Sequence, residues 1–196
     1  MKKALLLLVV LTISIFSTAC INNLAVQELN TKAKFYMDKG DYQGAIARLK
    51  SSIDLDPSVF ESYYNLAVAY TKDEDYSSAV EAYNSAIKLN PDFADAYYSL
   101  AVCEQNLAED ITTGYVAMNP DGTYTKLTQE QIDKLNGAKP KLSKVSKKAV
   151  YDLLTQAEDD YGIYIDKSKD ATTVEDAKSK ISELKDMASQ YEDKGL

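Results

Sequence analysis

The sequence predicts an all-α fold: a short α-solenoid of stacked helical hairpins, two full repeats plus an interrupted third, with a small hairpin insertion and a C-terminal capping helix. Three observations predict it. Ile53-Asp54-Leu55-Asp56-Pro57 returns 34 residues later as Ile87-Lys88-Leu89-Asn90-Pro91. Tyr63-Tyr64-Asn65-Leu66-Ala67-Val68 returns at the same interval as Tyr97-Tyr98-Ser99-Leu100-Ala101-Val102, and Asp41-Tyr42 with Ala45 returns as Asp75-Tyr76 with Ala79. Inside each unit the apolar residues recur every three or four positions, the spacing of one helix face. A fixed period of this length marks a unit that cannot bury its apolar face alone, so copies stack.

The elements follow in order. From Val26 to Lys39, Val26, Leu29, Ala33 and Tyr36 form a helical stripe that Gly40-Asp41 ends, since Gly tolerates the left-handed exit of a helix. A second helix runs from about Tyr42 to Leu55, with Ala45, Ile46, Leu49 and Ile53 inward, and Pro57 closes it. The pair repeats as Glu61 to Lys72, a turn at Asp73-Glu74-Asp75, and Tyr76 to Leu89 before Pro91. A fifth helix, about Phe93 to Glu109, begins a third unit (first helix 94–110 in the repeat register), and after Asp110 the period breaks.

Residues 111–142 read as an insertion. Tyr115-Val116-Ala117 and Thr123-Tyr124-Thr125 flank the turn Asn119-Pro120-Asp121-Gly122, whose order supplies a fixed φ, a side-chain cap and a positive φ. Thr128 with Gln131 forms a capping box for a short helix to about Leu135. Residues 143–196 then hold a helix pair. The first, about Ser143 to Lys167, is expected to replace the missing second helix of the third unit. The last, capped by Thr172 with Glu175, carries a narrow seam of Val174, Ala177, Ile181, Leu184 and Ala188, and is expected to close the solenoid.

The repeat units resemble the tetratricopeptide repeat, a helix-turn-helix unit of the same length. The copy from Glu61 through Tyr63, Tyr64, Leu66, Ala67, Tyr70, Tyr76, Ala79, Tyr83, Ala86 and Pro91 carries the resemblance best, and the first copy (about 26–59) is looser. The resemblance spans about Val26 to Glu109. It implies that the first helices line a concave face for protein or peptide partners, and it places Asn30, Lys34, Tyr64, Asn65, Val68, Tyr98 and Val102 on that face. Tyr64 and Tyr98, one repeat apart, are expected to form a vertical aromatic pair suited to peptide recognition. Some members grip a C-terminal carboxylate with Lys, Asn and Arg. Asp95 and Ser99 stand where that clamp needs its Lys and Arg, so the clamp is rejected.

The chain opens on Met1-Lys2-Lys3, an apolar run from Ala4 to Phe16 and the small residues Ser17-Thr18-Ala19, which is the pattern of a secretory leader. Its apolar core is too short for an ordinary transmembrane helix. Ser17-Thr18-Ala19-Cys20 resembles the lipobox of bacterial lipoproteins, with Ser17 at the place of the usual aliphatic residue. That resemblance implies a signal peptide at 1–19, palmitate-type acyl chains on Cys20, a lipidated tether at 20–25, and export to a cell membrane held by the N-terminal lipid. Ile21 is not the Asp that retains some lipoproteins in an inner membrane, which directs the expectation to the periplasmic face of an outer membrane in a diderm host. The alternative is a plain secreted protein cut near Ala19.

Charge and composition narrow the function. The formal charge is −8, and removal of Lys2 and Lys3 with the leader makes it −10. No basic stripe is available to neutralise phosphates, so nucleic-acid binding is disfavoured. With no His, the chain lacks an imidazole base, a Ser/His or Cys/His pair and a His metal site. No cofactor is expected. Cys103, among Ala101 and Val102, reads as a buried small hydrophobe. The acidic pairs Glu109-Asp110 and Asp159-Asp160 read as solvated faces, and Asn119, Asp121 and Thr123 as a turn rather than a calcium loop. The expectation is therefore a non-enzymatic scaffold. The competing reading is a small carboxylate-dependent hydrolase, which gains if acids from separate segments converge in a closed pocket.

Overall fold

Helices dominate the computed structural model, which describes residues 23–192; the expected leader and Cys20 lie outside the described residues. The first helix, α1, is described over 23–38 and is already helical three residues before Val26, with the Gln27 side-chain amide donating to Asn23 across one turn at 2.7 Å. Then come α2 (Tyr42–Leu55), α3 (Phe60–Lys72), α4 (Tyr76–Leu89) and α5 (Ala94–Thr113). After the strands β1 (Val116–Met118) and β2 (Tyr124–Lys126) follow α6 (Gln129–Leu135), α7 (Lys144–Lys167) and α8 (Ala171–Ala188). The fold is the expected all-α solenoid with its hairpin insertion.

Side-chain caps fix where α2, α4, α6, α7 and α8 start, whereas α3 and α5 begin without one. Asp41 accepts from the Gly44 backbone N–H at the start of α2, and Asp75, one repeat later, accepts from that of Ser78 at the start of α4. Each such cap satisfies an orphan donor and contributes about 1 kcal/mol. Ser143 caps α7 in the same way, and Thr128 with Gln131 forms the full capping box of α6. The start of α8 departs from expectation. Its cap is Asp170, which accepts from the N–H groups of Thr172 and Thr173, so the acceptor comes two residues before Thr172. Helix α5 also runs one turn beyond Glu109, ending at Gly114 with φ 86°.

Packing makes two apolar clusters with α5 as the wall between them. Ala96, Leu100 and Cys103 face the repeats, where Ala33, Leu49, Ala67, Ala79 and Tyr83 are buried. Tyr97, Ala101, Leu107 and Ile111 face the other cluster, built with Val150, Leu154, Ala157 and Tyr161 of α7 and Ala177 and Leu184 of α8. Helix α7 lies along α5, and α8 lies along α7. The alanines let helix axes approach closely, and the buried aliphatics supply most of the driving force at roughly 25 cal/mol per Å² removed from water.

The insertion is a two-stranded antiparallel hairpin with Val116 opposite Lys126 and Met118 opposite Tyr124. Its turn is self-contained. Asn119 donates its side-chain amide to Thr123 and Thr125, and Asp121 accepts from the Thr123 backbone and hydroxyl. Val116 is buried against α5. The Lys126 ammonium reaches the Glu74 carbonyl at 3.4 Å, tying the hairpin to the α3–α4 turn. No described helix is long and apolar enough to cross a membrane.

Candidate functional site

The first helices of the units, α1, α3 and α5, carry the residues that the repeat pattern assigns to a binding face, and the structure puts these residues to different uses. Asn30 and Asn65 turn inward. The Asn30 amide donates to the Val26 carbonyl at 3.0 Å and to the hydroxyls of Ser52 and Ser62 at 2.9 and 3.0 Å, while Asn65 donates to the Asn30 carbonyl oxygen at 3.1 Å. Ser52 and Ser62 are fully buried and bond each other at 3.0 Å. This network satisfies buried polar groups where α1, α2 and α3 meet, so both amides are committed within the fold. Lys34 is exposed, and Val68 and Val102 are half-buried against the two clusters.

The tyrosines do not form the expected pair. Tyr64 is edge-on to Tyr83, with centroids 5.7 Å apart, and to Phe93 at 4.9 Å. Tyr98 instead meets Tyr161 at 5.3 Å and Tyr164 at 5.1 Å, both from α7. The reason is the break in the period: the replacement helix α7 brings two aromatic rings to the third unit, and they hold Tyr98 on its own side. The Tyr98 hydroxyl donates to the Asp176 carboxylate of α8 at 2.6 Å. Burial, and then that bond and charge, push the Tyr98 phenol up to about 12. Tyr64 is also raised, first by burial; Ser99 opposes the shift and the Asp95 charge adds to it.

Away from this face, acids do converge. Glu104 of α5 is 3% exposed and faces Asp160 of α7. Burial, then the Asp160 charge and its hydrogen bond, hold the Glu104 carboxyl far above the usual range, and burial raises Asp160 as well. Among the described residues, Glu104 Oε2 meets no donor and the buried Tyr161 hydroxyl has no partner. Two ionised carboxylates cannot hydrogen bond to each other; a proton held on Glu104 supplies the missing donor. Asp160 therefore does not belong to a solvated face, whereas its neighbour Asp159 does. Similarly Asp110 is half-buried and raised to about 6, chiefly by burial, while Glu109 is exposed. Glu104 was legible in principle: it occupies a stripe position of α5, between Leu100 and Leu107.

Cavities lie elsewhere. One of about 870 Å³ sits by the start of α7, walled by Leu142, Val145, Tyr151 and Tyr191 with Lys147 and Lys148 at its rim. Another, about 190 Å³, lies between α3 and α4 beside Tyr63, Tyr70 and Glu81. Neither is lined by Glu104 or Asp160. Among the described residues, no group of three or more Cys, Asp or Glu side chains is placed to hold a metal ion. Cys103 is buried beside the Thr71 hydroxyl at 3.2 Å, and burial pushes its thiol up to about 11, the environment of an inert core thiol.

Comparison with known proteins bears on this geometry. Residues 60–93 match the family model described as tetratricopeptide repeat, and residues 33–74 match that described as TPR repeat. No curated protein matches the chain. Among solved structures, the first TPR of Spaghetti (RPAP3) bound to the HSP90 peptide SRMEEVD is similar with a TM-score of 0.56 and 17% identity, covering 85% of this chain and 94% of that one. The second TPR domain of human RPAP3, in complex with the HSP70 peptide SGPTIEEVD, is similar at 0.56 and 14%, covering 84% and 98%. The TPR2B domain of yeast Sti1, in a complex with pHsp70, is similar at 0.51 and 18%, covering 82% and 98%. At these identities the likeness is one of fold.

Proposed function

We propose, on the tetratricopeptide repeats that this chain carries over residues 33–93, that it is a scaffold for other proteins in a bacterial cell envelope, anchored to a membrane by acyl chains on Cys20. The observation that carries the binding half is the face of α3 and α5. There Tyr64 and Tyr98 are held rigidly by aromatic neighbours while Asp95 and Asp176 stay exposed beside them. Rigid tyrosines with polar tips suit peptide recognition, because little rotamer freedom is lost on contact. Similar folds hold peptides ending in EEVD, but Asp95 and Ser99 remove the cationic half of such a carboxylate grip here.

The anchoring half rests on the sequence of residues 1–20, with the outer membrane as the expected address in a diderm host. Catalysis by the convergent acids is disfavoured by their enclosure: Glu104 is buried in the interface between α5 and α7, and neither cavity reaches it. Two measurements test the proposal. Cys20→Ala should move the protein from the membrane to the soluble fraction, and unchanged fractionation would reject the anchor. Crosslinking in cells followed by mass spectrometry should recover envelope proteins joined to α3 or α5, and crosslinks confined to α6 or α7 would reject the face.

A further inference from the structure

The binding face carries a charge with a definite sign at its third-unit end. Tyr64 is wedged edge-on against Tyr83 and Phe93, and the Asp95 carboxylate of the next inner helix acts on its phenol. One repeat further along, Tyr98 is wedged against Tyr161 and Tyr164, and its hydroxyl holds the Asp176 carboxylate of α8. Each ring is fixed by two aromatic neighbours; the Tyr98 hydroxyl bonds its carboxylate directly, while beside Tyr64 the exposed Asp95 stands on the inner helix that follows. Among the described residues, neither Asp95 nor Asp176 forms an ion pair. Lys34 lies on α1, whereas Asp95 on α5 and Asp176 on α8 each present an exposed carboxylate at the third-unit end of the face.

We infer that this face docks a basic segment of a partner protein, with Lys or Arg side chains received by the Tyr98–Asp176 pair and by the exposed Asp95. The inference rests on the reading of the face as a peptide-binding surface and adds the chemistry of the partner. A guanidinium or ammonium beside a tyrosine gains from the ring and from the carboxylate together, and the charge-assisted hydrogen bond is about twice as strong as a neutral one. The carboxylates also steer a cationic segment toward the face and repel an acidic one. A C-terminal carboxylate meets the opposite field here from the one it needs.

The test uses the full chain, purified in detergent and labelled, on an array of end-capped random dodecapeptides. Bound peptides should be enriched in Lys and Arg. The variant Asp95→Asn/Asp176→Asn, with its fold checked by circular dichroism, should bind the best of them about tenfold more weakly or worse. A charge-matched control, Glu130→Gln/Asp133→Asn on the exposed α6, should bind as the parent does. Enrichment in acidic or neutral peptides overturns the inference while leaving the binding face in place. Equal losses in the two variants also overturn it, because general charge attraction then explains the enrichment. If no peptide binds at all, the binding face itself is rejected and the inference falls with it.

Discussion

Glu104 of α5 and Asp160 of α7 face each other across the interface that joins the repeats to the C-terminal helices, and the charges acting on Glu104 come from Asp160 and Asp159, all of one sign. The pair holds together through a proton. Its pKa values are raised on folding, from 4.5 to about 9 for Glu104 and from 3.8 to about 6 for Asp160. The folded state therefore binds protons more tightly than the unfolded chain. Stability from this source is fully present below the unfolded values and is lost as pH rises through the folded ones. Thermal melts should show Tm falling between about pH 5 and about pH 9. Glu104→Gln keeps a donor without a charge, so it should melt higher than the parent at the alkaline end and show a flatter profile. Parallel profiles for the two proteins would mean that Glu104 is not the titrating group.

Tyr98 packs against the core and is part of the proposed binding face, so its substitutions should separate the two roles. Tyr98→Ala removes a ring packed on Tyr161 and Tyr164 and should cost about 2–4 kcal/mol of stability, which confounds any binding measurement. Tyr98→Phe keeps the stacking and loses only the bond to Asp176, with a cost of about 0.5–1.5 kcal/mol. Urea unfolding of the two variants checks this order. A Tyr98→Phe loss as large as that of Tyr98→Ala would place the energy in the hydroxyl and not in the ring.

Much of the fold was legible because the repeat states it twice. Each helix of the first two units has its own copy, so periodicity, the Asp41 and Asp75 caps and the Pro57 and Pro91 stops agree with one another. The hairpin and the α6 capping box were legible for a different reason: turn chemistry is local, and Asn119 to Thr123 satisfy each other within five residues. The site was less legible because it depends on what α7 and α8 bring from far along the chain. Asp176 lies 78 residues from the Tyr98 that holds it. Asp160 and Asp159 are adjacent in sequence yet one faces Glu104 and the other water, a choice made by the crossing of α5 and α7. Asn30 and Asn65 fit the repeat's binding positions, but the buried hydroxyls of Ser52 and Ser62 claim them.

Asn30→Ala deletes three donated bonds and the acceptor for Asn65, leaving Ser52 and Ser62 with only each other. The loss should be about 1–3 kcal/mol, read from the midpoint of urea unfolding. Asn30→Asp should also lose stability, since a carboxylate cannot donate to the Val26 carbonyl and brings a charge into the part-buried network, even though it still accepts from Asn65. A neutral Asn30→Ala would show that the network is filled by water or adds nothing net.

The two repeats differ at one backbone position where the difference carries a sign. Gly40 and Glu74 stand 34 residues apart, each just before a capping Asp, and both adopt positive φ, 75° and 58°. Glycine takes this conformation freely, whereas a residue with a Cβ is strained there by roughly 1–2 kcal/mol. Glu74→Gly should relieve that strain. Part of the gain is offset because glycine also loosens the unfolded chain, so the net stabilisation should be about 0.5–1 kcal/mol. The bond from Lys126 survives the change, because it is made to the backbone carbonyl. The reciprocal substitution, Gly40→Ala, meets no atom within 4 Å of the new Cβ, so its cost is conformational alone, about 1 kcal/mol. Opposite shifts in Tm for the two variants are the expected result. Destabilisation by both would show that the Glu74 side chain contributes more in place than its backbone strain takes away.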